Sequence, residues 1–260
     1  MIERIRAAAF DAFLWGSVVV YGGLLLLAAP LVPRPRLVAI GRLWGRSVLW
    51  ALNRLCGIDH RVRGRCPPPG PGGQVLVSNH QSAWETIAIA TILPGPQTWV
   101  VKRELLRIPF FGWALALFEP IAIQRADGRR AMRQLLETGA EHLERGHSVV
   151  IFPEGTRVSP DEHKRFGLGG ALLATRAGAP VVPIAHNAGY FWPRRSLVKR
   201  PGTIDVMIGP AITSTGLSAT ALNAQLEQWV RATQASLPAP GSVQPLARPH
   251  SDAAREGSRG

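Results

Sequence analysis

Residues 75–85 read VLVSNHQSAWE. Val75 to Ser78 form a short apolar run rich in β-branched residues. A polar break at Asn79–Gln81 comes next, and from Ala83 an apolar pattern of helical length begins. Strand, short loop and helix in succession form the unit from which α/β folds are built. The alternation continues downstream. TWVV at 98–101, IAI at 121–123, SVVIF at 148–152, PVVPIA at 180–185 and TIDVMIG at 203–209 read as strands. The spacing predicts helices over 83–93, 128–145, 168–177 and 218–236. The pattern predicts an α/β fold, a mostly parallel central sheet flanked by helices, over residues 75–237.

Working outward, residues 64–74 (GRCPPPGPGGQ) read as a Pro/Gly linker, and residues 1–63 as an N-terminal membrane-anchoring pair of helices. Residues 12–33 carry no charge over 22 positions, a helix roughly 33 Å long against a hydrocarbon core of about 30 Å. Glu3 and Asp11 near the start argue against a cleaved leader. Residues 37–58 mix Arg42, Arg46 and Arg54 with Leu43, Trp44, Val48, Leu49, Leu52 and Leu55, which suits a membrane interface. Both helices could instead belong to a soluble core. Arg34, Arg36, Arg42 and Arg46 after the apolar run favour a cytoplasmic position for the α/β domain. Residues 238–260 read as a disordered tail.

With 30 Lys+Arg against 17 Asp+Glu, the 260-residue chain carries a formal charge of +13, so an anionic partner is expected. Hydrophobic residues at 46% exclude a disordered chain, and Gly 27 with Pro 22 exclude a coiled coil. Two cysteines, Cys56 and Cys66, exclude a disulfide scaffold or a Cys-rich metal cluster and read as reduced thiols. A nucleic-acid binder would rest on charge alone. It lacks a basic-aromatic recognition helix, and the apolar run opposes it.

The first site candidate is His80 with Glu85. The strand delivers His80 to a sheet edge, where α/β proteins place their sites. The two side chains meet only if His80 stands on the turn before the helix and Glu85 in its first turn. They would then form a general base with a carboxylate that orients it. A capping box, Ser82 with Glu85, fits the same residues, and the two readings are compatible. The second candidate is IFPEGTR, 151–157, in which Glu154 and Arg157 project from a turn opened by Gly155. Arg157 suits phosphate, and Gly155 and Thr156 offer donors to the same group. A salt-bridged turn is the alternative. Arg194, Arg195, Lys199 and Arg200 beside Phe191 and Trp192 suit headgroup contact, or else form a solvated basic loop. His186 reads as structural.

Together and in order, these pieces resemble the 1-acylglycerol-3-phosphate acyltransferases of the glycerolipid acyltransferase superfamily. Four blocks carry the resemblance: NHQSAWE containing His80 to Glu85, Ile121 to Arg125, FPEGTR at 152–157, and Val182-Pro183-Ile184-Ala185. Glu85 stands where the family carries Asp, one methylene shorter, and Gln124 where an acidic residue or Asn is common. The resemblance implies transfer of a fatty acyl group from acyl carrier protein or acyl-coenzyme A to the sn-2 hydroxyl of lysophosphatidate. His80 and Glu85 would be catalytic. Arg125, Glu154, Gly155, Thr156 and Arg157 would bind the acceptor, with Lys102 as a weaker candidate. No metal or resident cofactor is implied, since the thioester is a co-substrate. The implied partners are membrane lipids and the acyl donor, not nucleic acid, and the implied location is a bacterial-type inner membrane with the site on its cytoplasmic face. A sister enzyme with another acceptor and a non-catalytic lipid-binding protein remain the alternatives.

Overall fold

In the computed structural model, residues 1–124 and 126–239 are described. Arg125 and nearly all of the 238–260 tail therefore lie outside the described residues. A seven-stranded sheet has the order β1-β7-β6-β2-β5-β3-β4. Its strands are β1 Ile58–Arg63, β2 Gln74–Ser78, β3 Gln97–Lys102, β4 Ile121–Ile123, β5 Ser148–Ile151, β6 Val181–His186 and β7 Gly202–Ile208. Strands β6, β2, β5, β3 and β4 pair in parallel, and β7 is antiparallel to β6. All five carboxyl ends of the parallel set therefore share one edge.

The helices are α1 Ile2–Ala28, α2 Arg34–Cys56, α3 Trp84–Ile92, α4 Phe111–Ala116, α5 Gly128–Glu144, α6 Gly169–Ala177, α7 Ala188–Phe191 and α8 Ala219–Ser236. They cover both faces of the sheet because the strands are apolar on both sides. In β2, Val75 and Val77 join Leu135, Leu173, Leu222 and Leu226 from α5, α6 and α8. Leu76, pointing the other way, joins Val48, Leu52, Trp84 and Ile89 from α2 and α3. Asp127 caps α5 by accepting the Arg130 N–H at 3.1 Å, and Ser218 caps α8 by accepting that of Ala221 at 3.1 Å.

Two expectations change. First, Ile58–Arg63 is a strand, not the end of a helical anchor. It pairs in parallel with β7 at the sheet edge and buries only alternate residues. Second, most of the α2 stripe packs on α3 and the sheet rather than facing lipid, with Leu43 left exposed. Val48 and Leu52 are fully buried, and a Cβ at Gly45 would stand 2.0 Å from Thr91 Oγ1 of α3. Arg42 donates to the Leu93 and Gly95 carbonyls at 3.2 and 2.8 Å rather than facing headgroups. Segments 1–63 and 75–237 thus share one core. The 64–74 linker is mostly exposed, with Cys66 buried, and Gln74 at the start of β2 donates to the Pro67 carbonyl at 3.0 Å.

α1 is long and apolar enough to cross a membrane. Trp15, Val19, Val20, Leu24 and Leu27 are exposed along it. Its opposite side is held. Phe10 is fully buried, Trp44 of α2 donates to Ser17 Oγ at 3.0 Å, and Lys199 donates to Asp11 at 2.7 Å. The expected basic-aromatic headgroup patch is corrected accordingly. Phe191, Trp192 and Lys199 are buried, and only Arg194, Arg195 and Arg200 of that block are exposed.

Candidate active site

His80 stands in the loop between β2 and α3, and Glu85 is the second residue of α3. Their side chains meet, with His80 Nδ1 2.8 Å from Glu85 Oε1. Glu85 is completely buried and heavily bonded. Its Oε1 also accepts the N–H groups of Gln81 and Ser82, each at 2.8 Å, and Oε2 accepts that of Ser82 at 3.0 Å. The Ser82 hydroxyl accepts the Trp84 N–H at 3.1 Å. One carboxylate therefore closes the turn and holds the imidazole. Burial alone would push the Glu85 carboxyl up. The His186 and His80 imidazoles and the Ser82 N–H outweigh it and hold the group below the ordinary carboxylate range. Since Nδ1 gives its hydrogen to this carboxylate, Nε2 of His80 is left with a lone pair.

The 152–158 loop supplies the rest of the seat. Phe152 stacks on the His80 ring, with centroids 4.2 Å apart and planes at 15°. Glu154 Oε2 accepts the His80 N–H at 2.6 Å, and the Val158 N–H donates to the His80 carbonyl at 2.8 Å. Gly155 turns the chain at φ 69°, the left-handed region, with nothing crowding its α-carbon. Glu154, expected to bind the acceptor, is buried, and its Oε2 is engaged with the histidine backbone. Burial, with Glu85 adding to it against the His80 N–H, pushes the Glu154 carboxyl from 4.5 up to about 8.

This shift has a consequence for stability. A carboxyl whose folded value is raised supports the fold fully below its unfolded value and loses that contribution as pH rises through the folded one. Melting temperature is therefore expected to decline between 4.5 and about 8, and Glu154→Gln to flatten that decline. Thermal unfolding measured across this range, variant beside wild type, checks it.

The remaining site residues lie along the same carboxyl edge. Lys102 ends β3 and is exposed. Thr156 and Arg157 are half-buried, and the Arg157 guanidinium makes no hydrogen bond or ion pair among the described residues. The Arg157 carbonyl accepts from Arg194 at 2.9 Å, which ties the 194–200 loop to the site. His186, structural by its sequence context, lies under the dyad, Nε2 4.0 Å from Glu85 Oε2. Asn79, which sequence reasoning misses, binds His186 through both backbone and side chain. Its place beside His80 is the only local signal of that role. No cluster of three or more metal-ligating side chains occurs among the described residues.

This constellation can remove a proton from a hydroxyl and stabilise the resulting imidazolium, beside an unpaired arginine. Residues 60–187 match the family model described as Acyltransferase. The chain is 43% identical over 241 residues to a 1-acyl-sn-glycerol-3-phosphate acyltransferase of Pseudomonas aeruginosa, covering 91% of this chain and 93% of that one. It is 29% identical over 167 residues to the Escherichia coli protein of that name, covering 64% of this chain and 66% of that one. The fold is similar to the crystal structure of the 1-acyl-sn-glycerophosphate (LPA) acyltransferase, PlsC, from Thermotoga maritima. The TM-score is 0.74 over 90% of this chain and 95% of that one, at 24% identity.

Proposed function

The chain belongs to the 1-acyl-sn-glycerol-3-phosphate acyltransferase family of O-acyltransferases, and from that premise we propose that it acylates the sn-2 hydroxyl of lysophosphatidate to give phosphatidate. The observation that carries the reading is the 2.8 Å His80–Glu85 pair at the carboxyl edge of the sheet, with Nε2 uncommitted. In this mechanism Nε2 takes the acceptor hydroxyl proton as the oxygen attacks the thioester carbonyl. The carbon–sulfur bond breaks, and the imidazolium returns the proton to the departing thiolate. Glu85 stabilises the imidazolium while it exists. The acceptor is itself the nucleophile, so no acyl-enzyme is needed, and no metal or resident cofactor is used.

Arg157, with Arg125 and Lys102, would meet the acceptor phosphate. Gly155 shapes that loop, Thr156 offers its hydroxyl, and Glu154 contributes by holding His80. The donor is acyl carrier protein or acyl-coenzyme A. The apolar outer side of α1 would seat the enzyme in the membrane. Exposed Arg36 and Arg46 support a cytoplasmic site, as in a bacterial inner membrane.

An acyl-transfer assay on protein-containing membranes tests the reading, with labelled acyl thioesters of both kinds. Lysophosphatidate, glycerol-3-phosphate and a lyso-ornithine lipid would serve as acceptors. Phosphatidate is the expected product. Preference for glycerol-3-phosphate or the ornithine lipid would overturn the acceptor, and no product from any of them would favour a non-catalytic lipid-binding role.

A further inference from the structure

Besides the Glu85, Phe152 and Val158 contacts, His80 is held through the peptide unit that joins it to Asn79. The amide end of that unit is held by Glu154, at 2.6 Å. The carbonyl end, belonging to Asn79, accepts from Nε2 of His186 at 2.9 Å and, more weakly, from the Ser78 hydroxyl at 3.2 Å. Ala188 donates its N–H to His186 Nδ1 at 3.3 Å, so the ring is neutral with its hydrogen on Nε2, the tautomer the carbonyl requires. Burial, opposed by Glu85, lowers the His186 value. The Asn79 side chain completes the grip. Its Nδ2 donates to the His186 carbonyl at 2.9 Å, and its Oδ1 accepts the His186 N–H at 3.0 Å. Both residues are buried, and they join the carboxyl tips of neighbouring strands β2 and β6.

We propose that His186 is a positioning residue for His80: through the Asn79 carbonyl it fixes the peptide unit that aims the imidazole at the acceptor hydroxyl. A peptide is planar, so holding its oxygen and its hydrogen fixes the orientation of the whole unit. Rotation of that unit would carry the His80 α-carbon with it and pull Nδ1 away from Glu85. The role differs from packing. It needs a donor at one place, not merely volume, and it acts on turnover rather than on substrate affinity.

The inference rests on His80 being the base, so His80→Ala is measured first in the same assay. Wild-type turnover in that variant would refute the base itself. With His80→Ala inactive, His186→Leu is expected to lower kcat on the order of tenfold to a hundredfold, with KM for acceptor and donor changed less than about twofold. His186→Gln keeps an N–H donor at similar reach and should return kcat to within about threefold of wild type. Unchanged kcat in His186→Leu, a loss seated in KM, or a His186→Gln no better than His186→Leu would each overturn the proposal. Should His186→Leu fail to fold, His186→Gln is compared with His186→Asn, whose shorter amide falls short of the carbonyl. Equal kcat in those two would overturn it as well.

Discussion

His80→Ala is expected to lower kcat about a thousandfold in a protein that still folds and still binds lysophosphatidate. Glu85→Gln should cost roughly a hundredfold or more, because an amide can copy the shape of the carboxylate but not its charge when the imidazolium forms. Glu85 reaches the reaction only through His80 Nδ1, at 2.8 Å. The double variant should therefore be no slower than His80→Ala alone, since residues that act as a unit are not additive. Multiplicative losses would mean that Glu85 has a second route to the substrate. The family-like change Glu85→Asp should also slow the enzyme, by about tenfold. Removing one carbon–carbon bond draws the carboxylate back by about 1.5 Å. Four contacts of 2.8 to 3.0 Å, to His80, Gln81 and Ser82, are built around the longer side chain. Steady-state kcat at saturating acceptor and thioester decides among these outcomes, and a faster Glu85→Asp would show that the seat is not matched to Glu.

How far the sequence foretells the fold depends on the range of each interaction. The parallel strands are legible because they are buried on both faces and read as unbroken apolar runs. The dyad is legible because its partners are five residues apart and its geometry is that of one turn. Strand β1, IDHRVR, is hard to see because it lies at the sheet edge and hides only alternate residues, among charges. The stripe on α2 is legible as apolar but not as to what covers it, since bilayer and protein core select the same residues. The grips on His80 from Glu154 and on Asn79 from His186 join residues 74 and 107 positions apart. No local pattern encodes such pairings. The same holds for Lys199, whose partner Asp11 is 188 positions away. A block that reads as cationic surface contains a buried ammonium.

That ammonium carries the largest stability effect expected in the chain. The Lys199 side chain is 1% exposed, while that of Asp11 is 33% exposed. Nζ also lies 5.3 Å from the Phe10 ring and 5.4 Å from that of Trp192. Asp11→Ala would leave the ammonium buried with only two aromatic faces for company, a loss of about 3 kcal/mol, because an uncompensated buried charge costs more than the pair contributes. Lys199→Met removes the charge and keeps most of the volume. The Asp11 carboxylate it leaves behind can reach water, so the cost should be about 1 kcal/mol. The double variant should then resemble Lys199→Met, with Asp11→Ala alone the least stable of the three. Thermal unfolding in detergent micelles measures the order. Limited proteolysis between α1 and β1 should be fastest in Asp11→Ala, because the pair fastens the apolar helix to the 191–200 segment that leads into β7 and, through Arg194, touches the 152–158 loop. Equal melting temperatures for Asp11→Ala and Lys199→Met would mean that water reaches the ammonium once its partner is gone. The apolar helix would then be held by Phe10 and Trp192 packing together with the Trp44–Ser17 and Arg6–Leu55 hydrogen bonds to α2.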